Sequence, residues 1–412
     1  MSRLRDGHAV ELLQGGEAYF ASLVQAIGQS EREVWLETYI FNLDRSGVLV
    51  AQALEQAALR GVKVYLTMDG VGTPDIPAQW RTRFDRSGVR WSIFSPLGRI
   101  GLFIPSRWRR LHRKLCVVDS SVAYCGGINI LDDWFDPNHG HLGEPRLDFA
   151  VRVTGPLVSD VSETMARFWW RQNPSGELRT REFPAAWRDL HGVMRRAVTE
   201  RQAPVHSMNG GSGLVAPPGR PAAYAGLLLR DNLRNRRKIE AAYLQAIAAA
   251  RSEVIVANAY FVPGVRLRRA LVQAARRGVR VRLLLQGRYE YFLQYHASRP
   301  VYGALLAAGV EIHEYAASFL HAKVAVIDGI WATVGSSNLD PLSLLMAREA
   351  NVAVRDAVFA STLRQRLEHA MDNGGKAVDA VEFARRPWQQ RLKETLAYGI
   401  MRAALLLVGR RY

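Results

Sequence analysis

The sequence predicts an α/β fold made of two copies of one module, each a mixed β-sheet flanked by helices. Three observations predict it. The stretches His112–Asp119 (HRKLCVVD) and His321–Asp328 (HAKVAVID) share the spacing His-x-Lys-x4-Asp, and each is followed by Gly-x-x-Asn, at Gly126–Asn129 and Gly335–Asn338. Upstream, Val34–Phe41 and Val254–Phe261 are matching apolar runs that close on aromatics. Each run leads to a helical pattern and then to Arg60-Gly61-Val62 or Arg277-Gly278-Val279, a glycine-stopped helix entering another apolar run. Strand–helix–strand order with Val/Leu-rich strands is the pattern of a largely buried sheet covered by helices.

The elements follow in order. Val10–Leu13 opens the first copy as a strand, and residues 18–28 carry helical spacing. The strand at Val34–Phe41, the helix at Val48–Leu59 and the strand after Gly61 make the first βαβ unit. Arg146-Leu147-Asp148 precedes the strand Phe149–Val153, and Arg348-Glu349-Ala350 precedes Asn351–Val354, so each motif is trailed by an acid at a strand start. Residues 201–226 contain Gly210-Gly211-Ser212-Gly213 and Pro217-Pro218-Gly219 and read as an exposed connection. The boundary is placed there, giving modules at 1–215 and 216–384 and a basic amphipathic helix at 385–412.

The chain has 412 residues, 48% hydrophobic and 23% charged, enough for two cores. Its formal charge of +17 calls for an anionic partner, nucleic acid or membrane, without choosing between them. Two cysteines, Cys116 and Cys125, lie in apolar surroundings and read as small buried hydrophobes. The N-terminal residues lack the apolar core of a signal peptide, and no apolar run reaches the length of a membrane span. A cytoplasmic protein with only peripheral membrane contact is expected.

Two histidines, two lysines and two asparagines recurring in step indicate one symmetric site made from two halves. Histidine supplies a nucleophile or acid/base, lysine neutralises an anion, and asparagine donates hydrogen bonds; the set suits a phosphodiester. A single copy reads equally well as a buried strand with incidental polar residues, but duplication in register does not arise that way. Lysine usage adds weight: the chain has six lysines among 55 basic residues, and two of the six are Lys114 and Lys323. A compact, rotatable ammonium is wanted there. Asp148 and Glu349 are candidates to accept the second N–H of an imidazole. For Asp119 and Asp328, catalysis and turn capping are both open. His139-Gly140-His141 in a polar loop reads as solvated rather than as a ligand pair, so no metal is assigned.

The doubled motif with its Gly-x-x-Asn resembles the phospholipase D superfamily across both halves, roughly residues 8–375. Within it the chain is similar to the bacterial cardiolipin synthases, through Leu36–Phe41, Leu111–Lys114, Ala257–Pro263 and Trp331–Ser343. The resemblance implies a pseudo-twofold pair of α/β domains with the active site between them. The implied reaction transfers a phosphatidyl group from one phosphatidylglycerol to another through a phosphohistidine, releasing glycerol and using no cofactor. It points to His112 as nucleophile and His321 as acid/base, with Lys114, Asp119, Lys323 and Asp328 completing the catalytic set. Asn129, Asn338, Asp148, Glu349, Glu37 and Asn258 would bind or support the phosphate. Hydrolysis, phosphatidylethanolamine as donor, glycerol as acceptor and a nuclease activity stay open, as does oligomeric state. No tract of basic residues interleaved with stacking aromatics marks a nucleic-acid groove.

Two segments are expected to meet lipid at the cytoplasmic face of the membrane. One is the loop before the first motif, where Leu102, Phe103, Ile104 and Trp108 interleave with arginines. The other is the C-terminal helix, where Trp388, Leu392, Leu396, Ile400, Ala403 and Leu407 form an apolar stripe beside seven Arg/Lys. An interfacial helix and a helix docked on the protein's own core both fit that stripe.

Overall fold

Apolar runs stopped by glycine turns become strands, and runs with apolar residues at three- and four-residue spacing become the helices that cover them. A computed structural model describes residues 4–98, 105–173, 222–231, 235–289, 292–340 and 347–407. The first half contains β1 (Arg5–Gln14), α1 (Gly15–Gly28), β2 (Glu33–Thr38), α2 (Arg45–Leu59), β3 (Lys63–Asp69), α3 (Ala78–Ser87) and β4 (Arg90–Phe94). It continues with β5 (Arg110–Leu111), β6 (Lys114–Val118), β7 (Val122–Gly126), β8 (Phe135–Asp136), β9 (Gly140–His141), β10 (Phe149–Thr154) and α4 (Leu157–Gln172). The second half contains β11 (Ala223–Arg230), α5 (Lys238–Ala249), β12 (Glu253–Asn258), α6 (Val265–Arg276), β13 (Arg280–Gln286), α7 (Phe292–Leu306) and β14 (Glu311–Tyr315). After it come β15 (Lys323–Ile327), β16 (Trp331–Gly335), β17 (Ala347–Arg355), α8 (Ala357–Gly374), β18 (Gly375–Ala377), α9 (Ala380–Ala384) and α10 (Trp388–Leu407).

Read outward from the middle, the first half runs β1-β10-β7-β6-β2-β3-β4 and the second β11-β17-β16-β15-β12-β13-β14. The repeat in the sequence is therefore a repeat in topology. Where two separate sheets are expected, the structure joins them: β1 pairs antiparallel with β11 through Arg5↔Ala225 and His8↔Ala223. Left alone, each half would end on an open edge of unpaired backbone groups; pairing the two edges satisfies both. The expected boundary near residue 215 lies outside the described residues.

One core runs across the junction, packing Val158, Val161 and Met165 of α4 and Phe359, Leu363 and Leu367 of α8 on the same face of both sheets. The opposite face is covered in the first half by α1 and α2 and in the second by α5, α6 and α7. Cys116 and Cys125 are buried free thiols in these cores, and burial pushes both well above the usual thiol range. Within each half the parallel pair (β2 with β3, β12 with β13) is bordered by an antiparallel motif strand, Glu37 opposite Leu115 and Asn258 opposite Lys323. The motif lysines therefore start at the end of the sheet where the parallel strands finish.

The same register corrects the expectation that Asp119 and Asp328 act in catalysis. Each ends a motif strand, five residues from its lysine, which is about 16 Å along an extended chain. Both take positive φ, 51° and 52°, where aspartate is tolerated better than most side chains. Asp119 accepts the backbone N–H groups of Glu31, Arg32 and Glu33, and Asp328 those of Arg251, Ser252 and Glu253. They fasten the start of the neighbouring strand to the hairpin. Burial works against the Asp328 charge, but the N–H donors of Glu253, Ser252 and Arg251 hold its carboxyl below the usual range. Its stabilising contribution is thus present near neutrality and lost as pH falls through that lowered value. Asp328→Ala should lower unfolding stability by about 1–3 kcal/mol with turnover per folded molecule little changed, as denaturant titration beside activity would show.

Candidate active site

The two halves place their histidines by equivalent backbone contacts. Leu111, ahead of His112, donates its N–H to Asp69 Oδ2 at 2.7 Å; Leu320, ahead of His321, donates to Gln286 Oε1 at 3.2 Å. Asp69 and Gln286 are the last residues of β3 and β13. The sequence reading passed over both, although each is a polar residue closing an otherwise apolar strand of the repeat. His112 N–H then donates to the Arg348 carbonyl at 3.0 Å, and His321 N–H to the Leu147 carbonyl at 2.9 Å. Each motif thus reaches across to the opposite half, where β5 pairs with β17 through Leu111↔Arg348 and Leu147 bridges to Leu320.

This backbone crossing carries the acids with it. His112 Nδ1 lies 3.1 Å and 3.0 Å from the two carboxylate oxygens of Glu349, and His321 Nδ1 lies 2.7 Å from Asp148 Oδ2. Each histidine is therefore partnered by an acid from the other half. Glu349 also accepts the Ser336 hydroxyl, whereas Asp148 Oδ1 accepts the N–H of Phe149. At the position matching Ser336 the first half has Gly127, where a Cβ would stand 2.3 Å from Asp148 Oδ1.

The two pairs differ electrostatically. Glu349 is buried, which works against its charge, but the His112 partner and Lys114 hold its carboxyl below the usual range. Burial pushes Asp148 up to about 7. An ionised Glu349 can only accept, so His112 carries its proton on Nδ1 and leaves Nε2 with a free lone pair. Burial lowers His112, with Glu349 opposing; burial and then Lys323 lower His321 well below its usual value. Lys114 donates to the His112 carbonyl at 2.8 Å, and Lys323 donates to the His321 carbonyl. The Tyr39 ring sits 4.9 Å from that of His112 and 5.4 Å from Lys114 Nζ.

Burial moves the Lys114 ammonium down to about 7. That cation exists below the value and disappears above it. The free-enzyme kcat/KM should therefore fall about tenfold per unit as pH rises past roughly 7, with an acid limb set by protonation of His112. Lys114→Arg, which stays charged, should make the alkaline limb shallower and leave the part set by loss of the proton that His321 and Asp148 share. A pH profile in detergent micelles checks both.

The supporting residues divide. Asn129 accepts the Ile40 N–H through Oδ1 at 3.2 Å, keeping its amide donors free of that bond. Asn338 is buried, and its Oδ1 has no hydrogen-bond partner among the described residues. Asn258 accepts the Leu339 N–H at 3.1 Å, so it braces the loop that carries Asn338. Glu37 requires correction as a phosphate-supporting residue: it is buried 2.7 Å from Arg113, whose charge it balances, and a carboxylate there would repel phosphate. Among the loop histidines, His139 bonds Asp136 at 2.9 Å and His141 lies 3.1 Å from the Leu142 carbonyl. Of the expected lipid-contacting loop, Leu102, Phe103 and Ile104 lie outside the described residues; Trp108 is half-buried.

Known proteins resemble the chain throughout its length. The family model described as cardiolipin synthase, PLD-like domain, matches residues 23–142 and 243–371. The chain is 36% identical to cardiolipin synthase B of Escherichia coli K12, covering 98% of this chain and 90% of that protein. It is 27% identical to a probable cardiolipin synthase of Bacillus subtilis, over 94% of this chain and 71% of that one. In fold it is similar to the crystal structure of phosphatidylserine synthase from Haemophilus influenzae, with a TM-score of 0.66, 12% identity, and coverage of 97% and 94% of the two chains.

Proposed function

The chain belongs to the cardiolipin synthase family of phospholipase D-like proteins, and on that premise we propose that it moves a phosphatidyl group from one phosphatidylglycerol to the hydroxyl of another. His112 Nε2 attacks phosphorus and the bond to the glycerol headgroup breaks. The leaving oxygen takes a proton held by the His321–Asp148 pair, giving free glycerol and a phosphatidyl-histidine. The second phosphatidylglycerol then gives its hydroxyl proton back to that pair. Its oxygen attacks phosphorus, the P–N bond breaks, and cardiolipin leaves with His112 restored. Lys114, Lys323 and the amide donors of Asn129 and Asn338 neutralise the nonbridging oxygens, whose charge grows in the transition state.

The crossed pairs carry this reading. An ionised Glu349 prepares His112 as the nucleophile, and Asp148, near 7, suits its partner histidine to exchanging a proton at neutral pH. The net charge of +17 supports an anionic lipid as substrate and a peripheral position at the cytoplasmic membrane face. Among the described residues no helix is long and apolar enough to cross a membrane. Vesicles of phosphatidylglycerol labelled separately in headgroup and acyl chains provide the test. Cardiolipin and glycerol should appear in equal amounts, whereas phosphatidic acid as the only lipid product would make the chain a hydrolase.

A further inference from the structure

We propose that α10 is a bilayer-docking element held on the protein by one face and open to anionic lipid on the other. The inference rests on the lipid-substrate reading above and adds where the protein meets the membrane. Its inner face is anchored: Glu394, 2% exposed, bonds Arg386 at 2.8 Å and 2.9 Å, and Arg386 lies over the Phe383 ring, which stacks on Tyr302 of α7. Ala397 and Met401 are buried with Val262 and Ala297. The outer face holds Trp388, Leu392, Leu396 and Ile400, which are 70%, 49%, 57% and 60% exposed. At 100° per residue these four fall in one stripe nearly opposite the anchored face. Arg391 and Arg402 border it on one side and Lys393 on the other, all exposed.

An apolar stripe edged by cations is the arrangement of a helix lying in a membrane interface, with acyl chains meeting the stripe and phosphates meeting its borders. Self-association through this face would set like charges against each other, while an anionic bilayer complements them. The anchor also fixes the location. Val262, which α10 covers, donates its N–H to the Leu339 carbonyl at 3.1 Å, beside Asn338 of the site. Docking through α10 therefore brings the rim of the second half to the lipid surface.

The test sediments the full chain with phosphatidylglycerol vesicles and with phosphatidylcholine vesicles, and measures turnover separately in detergent micelles. Wild-type protein should bind the anionic vesicles, be released by salt, and bind neutral vesicles weakly. Leu396→Gln with Ile400→Gln should weaken binding about tenfold or more, with micellar turnover unchanged. Arg391→Glu with Lys393→Glu should abolish the preference for anionic over neutral vesicles. Wild-type-like sedimentation of the Gln double variant overturns the proposal. A fall in molar mass by light scattering with vesicle binding intact also overturns it, assigning the face to a second copy of the chain. Absent micellar turnover by the wild type would instead refute the transferase reading, leaving the vesicle result to stand alone.

Discussion

His112→Ala is expected to abolish both half-reactions, a loss on the order of 10^5-fold or more in turnover. The nucleophile forms the intermediate and is released from it, so no step bypasses it. His321→Ala should differ in kind. The glycerol headgroup can still leave slowly without a proton donor, but the second hydroxyl is no longer deprotonated, so a phosphatidyl-enzyme accumulates. Rapid quench under denaturing alkaline conditions with phosphatidylglycerol labelled at phosphorus distinguishes them: label on protein, lost on acid treatment, for His321→Ala and none for His112→Ala. The reverse pattern would exchange the two roles. Appreciable turnover by His112→Ala would exclude the mechanism.

Glu349→Gln should reduce kcat by about 10^3–10^4-fold, although Glu349 touches only His112 and Ser336 among the groups discussed. A glutamine can turn its amide N–H toward Nδ1, so the imidazole shifts its proton to Nε2 and loses the lone pair that attacks phosphorus. The negative charge that supports the developing imidazolium is lost as well. Glu349→Asp should recover part of the activity. A purely structural role for Glu349 would appear as lower thermal stability with kcat per folded molecule intact, and stopped-assay kinetics beside thermal melts separates the outcomes. KM should change little, since in the proposed mechanism the phosphate contacts come from lysine and asparagine.

Much of the site was legible in the sequence because its chemistry is duplicated. His112 and His321, Lys114 and Lys323, and Asp148 and Glu349 each occur at matching places in a repeated strand pattern, and alternation of strand and helix follows from hydrophobic periodicity. Asp119 and Asp328 were legible as part of the motif, but the sequence left turn capping and catalysis equally open. Their value lies in a left-handed turn and a fan of backbone donors from a strand 75 or more residues away in sequence, contacts no local pattern encodes. Asp69 and Gln286 went unread for a similar reason: each acts through the amide ahead of a histidine supplied by another segment. Glu37 entered the site through the run Leu36–Phe41 that carries the family resemblance, yet Arg113 claims its charge.

The C-terminal helix shows the same division. Its periodicity fitted a membrane face and a core-packed face alike, and only packing against α7 shows that Ala397 and Met401 point inward while the Trp388–Ile400 stripe points out. By itself the sequence determined the α/β modules, the duplicated histidine-lysine sets and the demand for an anionic partner, because these depend on residue type and short-range spacing. Tertiary structure alone decided the fusion of two sheets through β1 and β11 and the crossed partnership of the histidines with Glu349 and Asp148, 237 and 173 residues apart. Both arise where two like surfaces meet about a shared axis, and a one-dimensional repeat lists the surfaces without saying which group on one faces which on the other.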